Sequence, residues 1–236
     1  MFGYYSSMIY VLPAFLLALW AQSRVKSAYR KYSQVANRQG YTGAQIAEMI
    51  LRRQGIDHVD IEPVAGTMTD HYDPRKKVVR LSEGVYNSRS LAAISIAAHE
   101  CGHAIQDEQA YMFLKVRHSI APAVGFASKA ATPLAFIGIF LGAASQVGGI
   151  GSFVLQIAIL MFTAVVVFHV VTLPVEFNAS SRAMEILEAE GYLERDEIKP
   201  AKKVLDAAAL TYVAAAAVAL GNLIRFIMLS RGGRRR

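Results

Sequence analysis

Apolar positions in this chain fall in long blocks separated by short polar segments. The first block, residues 5–22, ends at Trp20, with Arg24 and Lys26 beyond it. From Ala130 to Val175 there is no Asp, Glu, Lys or Arg, a run of 46 residues. As one helix that run measures about 69 Å at about 1.5 Å per residue, more than twice a bilayer core of about 30 Å. It therefore predicts two passes, 130–147 and 152–173, turning near Gly148-Gly149-Ile150-Gly151. A last block, 207–229, is rich in alanine and carries Arg225 near its end, where the side chain can snorkel outward.

The intervening segments have shorter periods. Residues 24–40 extend the first helix with a basic face. Thr42 and Gln45 read as a capping box and Gly55 as a C-terminal stop, which predicts a helix over 43–54. His58-Val59-Asp60-Ile61-Glu62 alternates as a half-buried strand does, and Lys76 to Leu81 predicts a second strand after a turn at Asp73-Pro74. A helix starts at Ser88 or Ser90 and runs through about Gln106. Another covers 176–190 and stops at Gly191, and Pro200 suits the first turn of the final helix. The fold class expected is an α+β membrane protein, mostly helical, with a small β-hairpin or sheet and about four membrane helices. Five segments follow: an N-terminal membrane helix (1–23), a mixed polar segment (24–129), a transmembrane hairpin (130–175), a helical segment (176–206), and a C-terminal membrane helix with a basic tail (207–236).

Composition narrows the class. Hydrophobic residues make up 54% and charged residues 18%, an apolar balance for a soluble chain. The net charge of +7 gathers beside apolar blocks and in the last six residues, four of them arginine. That placement suits anionic lipid headgroups, and no nucleic-acid motif accompanies it. The single cysteine, Cys101, excludes an intramolecular disulfide. No basic residue precedes the first apolar block and no small-x-small site follows it, so a retained anchor is expected rather than a cleaved leader.

The chemistry lies in His99-Glu100-Cys101-Gly102-His103. Histidines four apart on a helix share one face, one turn apart, and can hold one metal. Glu100 is rotated about 100° from His99, placed to take a proton from a water without ligating the metal. Ile94, Ile96, Ala97 and Ala98 precede the motif, so the helix is apolar, and burying two histidines and a glutamate in it is costly unless they are paired or metal-bound. Cys101 faces away from both histidines and reads as a small buried residue.

A catalytic zinc takes a third protein ligand and keeps one open position. The peptidase class that continues with Gly and His three and six residues on is excluded, because Gln106 and Gln109 stand there. Asp107 and Glu108 lie too close on the same helix to fold back. No further acidic residue occurs until Glu176, just after the second hairpin pass, which makes Glu176 the outstanding candidate. His118, at headgroup level, and His169, inside a pass, are weaker alternatives.

These residues resemble those of the YugP-type neutral zinc metallopeptidases of bacterial membranes. The matching passages are 68–75, 79–82, 97–106, 173–183 and 202–212, so the resemblance spans nearly the whole chain. It implies one Zn2+ per chain held by His99, His103 and Glu176, with Glu100 as catalytic base. More distantly the chain is similar to the HtpX and CAAX-protease gluzincins, which carry an aspartate four residues after the ligand glutamate. Here Ser180 occupies that position, so Ser180 or Asn178 is expected to orient a ligand histidine. The resemblance also implies a cleft edged by the strand near 68–80, with His71, Tyr72 and Arg182 toward substrate or oxyanion.

The expected activity is a zinc-dependent endopeptidase acting on membrane or misfolded proteins. The alternative is a non-hydrolytic zinc-binding membrane protein, a sensor, scaffold or transporter. The absence of carboxylates from 130–175 counts against transport. Expected partners are a peptide or protein substrate and the lipid bilayer, with no nucleic acid. Lys and Arg in 23–129 predict a multi-pass protein of the bacterial inner membrane with its site on the cytoplasmic side. Arg231, Arg234, Arg235 and Arg236 run against that bias if the last helix crosses fully.

Overall fold

A computed structural model describes residues 8–144 and 149–233. In chain order the elements are α1 (Leu12–Tyr32), α2 (Gly43–Arg53), β1 (Asp60–Val64), β2 (His71–Asp73), β3 (Val78–Ser82), α3 (Glu83–Tyr86), α4 (Leu91–Glu108), α5 (Met112–Ala144), α6 (Ile150–Ala189) and α7 (Arg195–Gly233). They divide into two compact units. An apolar unit draws on Met1–Trp20, Val116–Thr172 and Tyr212–Arg236, and an α+β unit on Ala21–Lys115 and Leu173–Thr211.

The α+β unit is built around α4. Ser90 caps this helix by accepting from the Ala93 N–H at 3.2 Å. Leu91, Ile94, Ala97, Ala98, Cys101 and Ile105 are all buried, so most of the helix surface is enclosed by the rest of the unit. Ile46 and Ile50 of α2, Val79 and Leu81 of β3, and Leu187 of α6 pack in the same core as Ile94 and Ala97. The sheet order is β1-β3-β2, with β1 parallel to β3 and β2 antiparallel to it, so that β2 forms one edge. Helix α2 starts as expected: Thr42 Oγ1 accepts from the Gln45 N–H, and Gln45 Oε1 accepts from the Thr42 N–H. Gly55 and Gly191, the expected stops, both adopt left-handed backbone, φ +71° and +68°.

In the apolar unit alanines and a few aromatic rings form the interior, and many large apolar side chains face outward. Ala131, Ala135 and Ala158 are fully buried, and Phe162 stacks on Phe226 with ring centroids 4.8 Å apart. Phe126, Phe140 and Leu160 are exposed. Four helical stretches are long and apolar enough to cross a bilayer: Met8–Tyr32, Met112–Gly142, Ile150–Ala189 and Arg195–Ser230. The chain is a mostly helical α+β membrane protein.

Several boundaries differ from the sequence reading. The first helix ends at Tyr32, not near residue 40, because Asn37 draws the chain across the start of α4: its amide donates to the Tyr41 and Arg89 carbonyls. The helix expected from residue 130 already begins at Met112. Lys115, Arg117 and Lys129, which marked 112–129 as polar, are tolerated along an otherwise apolar helix. The pass over 152–173 and the helix over 176–190 form one helix, α6, through Pro174. Proline removes one N–H from the ladder, and the other bonds of a long helix outweigh that loss. His71–Asp73 is a strand rather than only a turn. Of the turn expected at Gly148-Gly149-Ile150-Gly151, Gly148 lies outside the described residues, and Ile150 and Gly151 already belong to α6; residues 234–236 of the basic tail also lie outside the described residues.

Candidate metal centre

Helix α4 presents His99, Glu100 and His103, and α6 presents Glu176. Glu176 Oε2 lies 3.3 Å from His99 Nε2 and 3.6 Å from His103 Nε2. Among the described residues these three form the one group able to converge on an ion, with ligand atoms within 4.8 Å of one another. The donor set suits zinc. Ligands about 2.0–2.1 Å from a tetrahedral ion stand about 3.3–3.4 Å apart, close to both spacings to Glu176. Two imidazole nitrogens and one carboxylate oxygen leave a fourth position for water or substrate.

A close backbone approach allows the convergence. Gly102, between the two histidines, packs on α6, where an added Cβ would lie only 2.7 Å from the Ala179 carbonyl oxygen. Any side chain there would push apart the segments carrying the histidines and Glu176.

Each histidine also has a partner at its far nitrogen. His99 Nδ1 is 3.1 Å from Ser180 Oγ, the contact expected of Ser180. His103 Nδ1 is 3.1 Å from Gln106 Oε1. Asn178 does not reach a histidine in any contact seen. Its Oδ1 accepts from Gln106 Nε2 at 2.9 Å and from Arg182 Nε at 2.7 Å.

Glu100 is buried beside the cluster. Burial pushes its carboxyl up to about 7. The nearby His99 opposes that rise, the Glu176 and Asp70 carboxylates add to it, and a hydrogen bond from the Tyr72 backbone N–H opposes it. A carboxyl near neutrality suits a group that must both take and return a proton. The same backbone N–H ties edge strand β2 to the Glu100 carboxyl.

The residues expected at substrate are distributed differently. The Tyr72 hydroxyl donates to Asp107 Oδ2 at 2.8 Å, and Lys77 reaches the same oxygen at 2.7 Å. Burial and then this bond push the phenol above its usual range. Its side chain therefore anchors β2 to α4 and is spent on that contact. Arg182 is likewise held, its second donor going to Gln109 Oε1 at 2.7 Å. His71 is exposed on β2, with Nδ1 2.8 Å from the Thr69 carbonyl oxygen. Asp107 does not turn back to the cluster, and Glu108 faces His58 at 3.2 Å. The Cys101 thiol is buried and donates to the Ala47 carbonyl, away from both histidines.

Sequence reasoning missed Gln106 and Gly102. In the sequence Gln106 serves only to exclude another motif, yet its position one turn after His103 places it on the histidine's face.

Residues 7–231 match the family described as "Putative neutral zinc metallopeptidase". The chain is 50% identical over 224 residues to the "Putative membrane protease YugP" of Bacillus subtilis (strain 168), covering 94% of this chain and 96% of that protein. No solved structure gives a significant match.

Proposed function

We propose that this chain, which belongs to the neutral zinc metallopeptidase family, is a membrane-embedded metalloendopeptidase. It binds one zinc through His99, His103 and Glu176 and uses Glu100 as general base. The observation that carries this reading is the buried convergence of two Nε2 atoms and one carboxylate oxygen beside a second, unshared carboxyl. The name of the Bacillus relative supports proteolysis at a membrane.

Bound zinc would supply Lewis acidity to the scissile carbonyl and lower the pKa of the attacking water. Glu100 accepts the proton released as that water attacks the carbonyl carbon. It then delivers the proton to the departing amine nitrogen as the C–N bond breaks, so the carboxylate is regenerated. Strand β2, an edge of the sheet beside α4, offers a backbone rail for an extended peptide. His71, exposed on that rail, is the remaining side-chain candidate to face the oxyanion. With Nδ1–H donating to Thr69, it can donate from Nε2 only as imidazolium. The substrates proposed are membrane or misfolded proteins. Lys and Arg in residues 23–129 support a site on the cytoplasmic face of a bacterial inner membrane.

The test is zinc content and peptide cleavage by the purified protein beside Glu100→Gln. The expected result is one zinc per chain in both and a loss of about 10²–10⁴-fold in cleavage for the variant. A variant as active as the parent would remove Glu100 from the mechanism. A parent that binds zinc and cleaves no peptide would favour the sensor or scaffold reading.

A further inference from the structure

Gln106 is fully buried and reaches three partners at once. Its Oε1 is 3.1 Å from His103 Nδ1, and its Nε2 is 2.8 Å from the Val175 carbonyl oxygen and 2.9 Å from Asn178 Oδ1. One primary amide thus spans from a histidine on α4 to the residue preceding Glu176 on α6.

The chemistry of these partners fixes which way the amide points. The Val175 carbonyl can only accept. Asn178 Oδ1 must also accept, because Arg182 Nε, a donor without lone pairs, points at it from 2.7 Å. Both contacts therefore demand the NH₂ end of Gln106. The reversed amide would set oxygen against oxygen twice in a buried place, which is costly. The carbonyl end is left facing His103 Nδ1, and that contact is a hydrogen bond only if Nδ1 carries a proton. In the neutral ring Nε2 then keeps its lone pair, on the side where Glu176 Oε2 lies 3.6 Å away. Ser180, the partner of His99, imposes no such choice, since a hydroxyl donates or accepts equally well.

We infer that Gln106 is a positioning residue that locks His103 in the Nδ1–H tautomer before metal arrives, and that ties this choice to the helix carrying Glu176. The polarity runs from the obligate donor Arg182 through Asn178 and Gln106 to the imidazole. His103 is thereby delivered as a ready nitrogen ligand, whereas His99 selects its tautomer on binding. The inference rests on the metal-site reading above, but the tautomer itself can be examined without metal.

The experiment uses the full-length protein in detergent, ¹⁵N-labelled at histidine and stripped of metal, above the imidazole titration range. The His103 ring signals are identified by their loss in His103→Asn. The expected result is protonated Nδ1 and bare Nε2 at His103. Nε2–H there would overturn the inference, and because the measurement needs no variant at Gln106, misfolding cannot spoil it. Zinc affinity is then measured by chelator competition for the parent, Gln106→Leu and Gln106→Glu. Gln106→Leu, which loses the acceptor, should weaken zinc about 10–100-fold. Gln106→Glu keeps an acceptor for Nδ1–H and should recover part of that loss, despite lacking the two donors toward α6. Equal loss in both variants would reduce Gln106 to a tie between helices and overturn the tautomer role. A parent with the Nδ1–H tautomer but no zinc affinity would instead sink the metal-site reading and leave the tautomer assignment standing.

Discussion

The two compact units use the same apolar residue types in opposite ways. In the α+β unit Ile46, Ile50, Ile94 and Leu187 are fully enclosed, and the buried amide of Gln106 meets its partners at defined distances. In the apolar unit large side chains such as Phe126, Phe140 and Leu160 point outward, while alanines share the interior with Phe162 and Phe226. The first arrangement is a core set against water and the second a surface set against lipid. The difference places geometric precision in the α+β unit, where shifts of tenths of an ångström matter, and tolerance in the outward face of the apolar unit.

Gly102→Val attacks that precision most directly. Even a Cβ there would sit 2.7 Å from the Ala179 carbonyl, so either α4 or α6 must shift. The expected cost is at least about 3 kcal/mol, the upper end of overpacking, with zinc affinity falling at least tenfold as Glu176 and Ser180 move with Ala179. Thermal unfolding and chelator competition check both. A variant with parental zinc affinity would show that the approach of these helices does not hold the site.

The charge state of Glu100 offers a second, somewhat smaller handle. Its native carboxyl titrates at about 7, raised from the ordinary 4.5. Between those values the metal-free native state binds more protons than the unfolded chain. The contribution to stability is therefore fully present below about pH 4.5 and is lost as pH rises through about 7. At about 1.36 kcal/mol per unit the whole window amounts to about 3 kcal/mol or less. The thermal midpoint of the zinc-free parent should fall across this window relative to Glu100→Gln, which has no carboxyl to ionise. Parallel midpoints would show that the carboxyl is not buried as described.

Much of this contrast was legible along the chain because it rests on local pattern. The acid-free run from Ala130 to Val175 marked the lipid-facing helices, and the same interval singled out Glu176. Thr42 and Gln45 announced α2, and helical spacing alone paired His99 with His103. What stayed hidden depends on contacts between residues far apart in sequence. Nothing local ends α1 at Tyr32; Asn37 does so by bonding to Arg89. Nothing around Gly102 reveals Ala179, and nothing around Gln106 reveals Val175 and Asn178. The helix through Pro174 was obscured for the converse reason: a strong local breaker signal is overruled by the ladder on either side.

Tyr72→Phe separates two roles for one hydroxyl. If the phenol served the oxyanion, kcat would fall about 10²–10³-fold. The structure instead gives that hydroxyl to Asp107, which also holds Lys77. The expected outcome is a loss of about 1 kcal/mol of stability, the net worth of one hydrogen bond, with kcat changed less than about threefold and any larger change confined to KM through a looser β2. Thermal melts and steady-state kinetics on the same preparation decide. A fall of a hundredfold in kcat at unchanged stability would return Tyr72 to the oxyanion.

Phe140→Leu should have the smallest effect. Phe140 is 71% exposed on α5, within a stretch long and apolar enough to cross a bilayer, so its neighbours there are lipid tails. Exchanging one large apolar side chain for another there trades contact with lipid for contact with lipid. No packed neighbour is lost and no cavity is left, unlike the change Ile94→Ala in the α+β core, where about 2–5 kcal/mol is at stake. The expected shift is within about 0.5 kcal/mol, with zinc affinity and cleavage unchanged, measured on protein reconstituted in vesicles. A loss above about 1 kcal/mol would mean that Phe140 meets a shaped protein surface rather than fluid chains, and a change in apparent size between parent and variant in crosslinking or sedimentation would then identify that surface as a second copy of the chain.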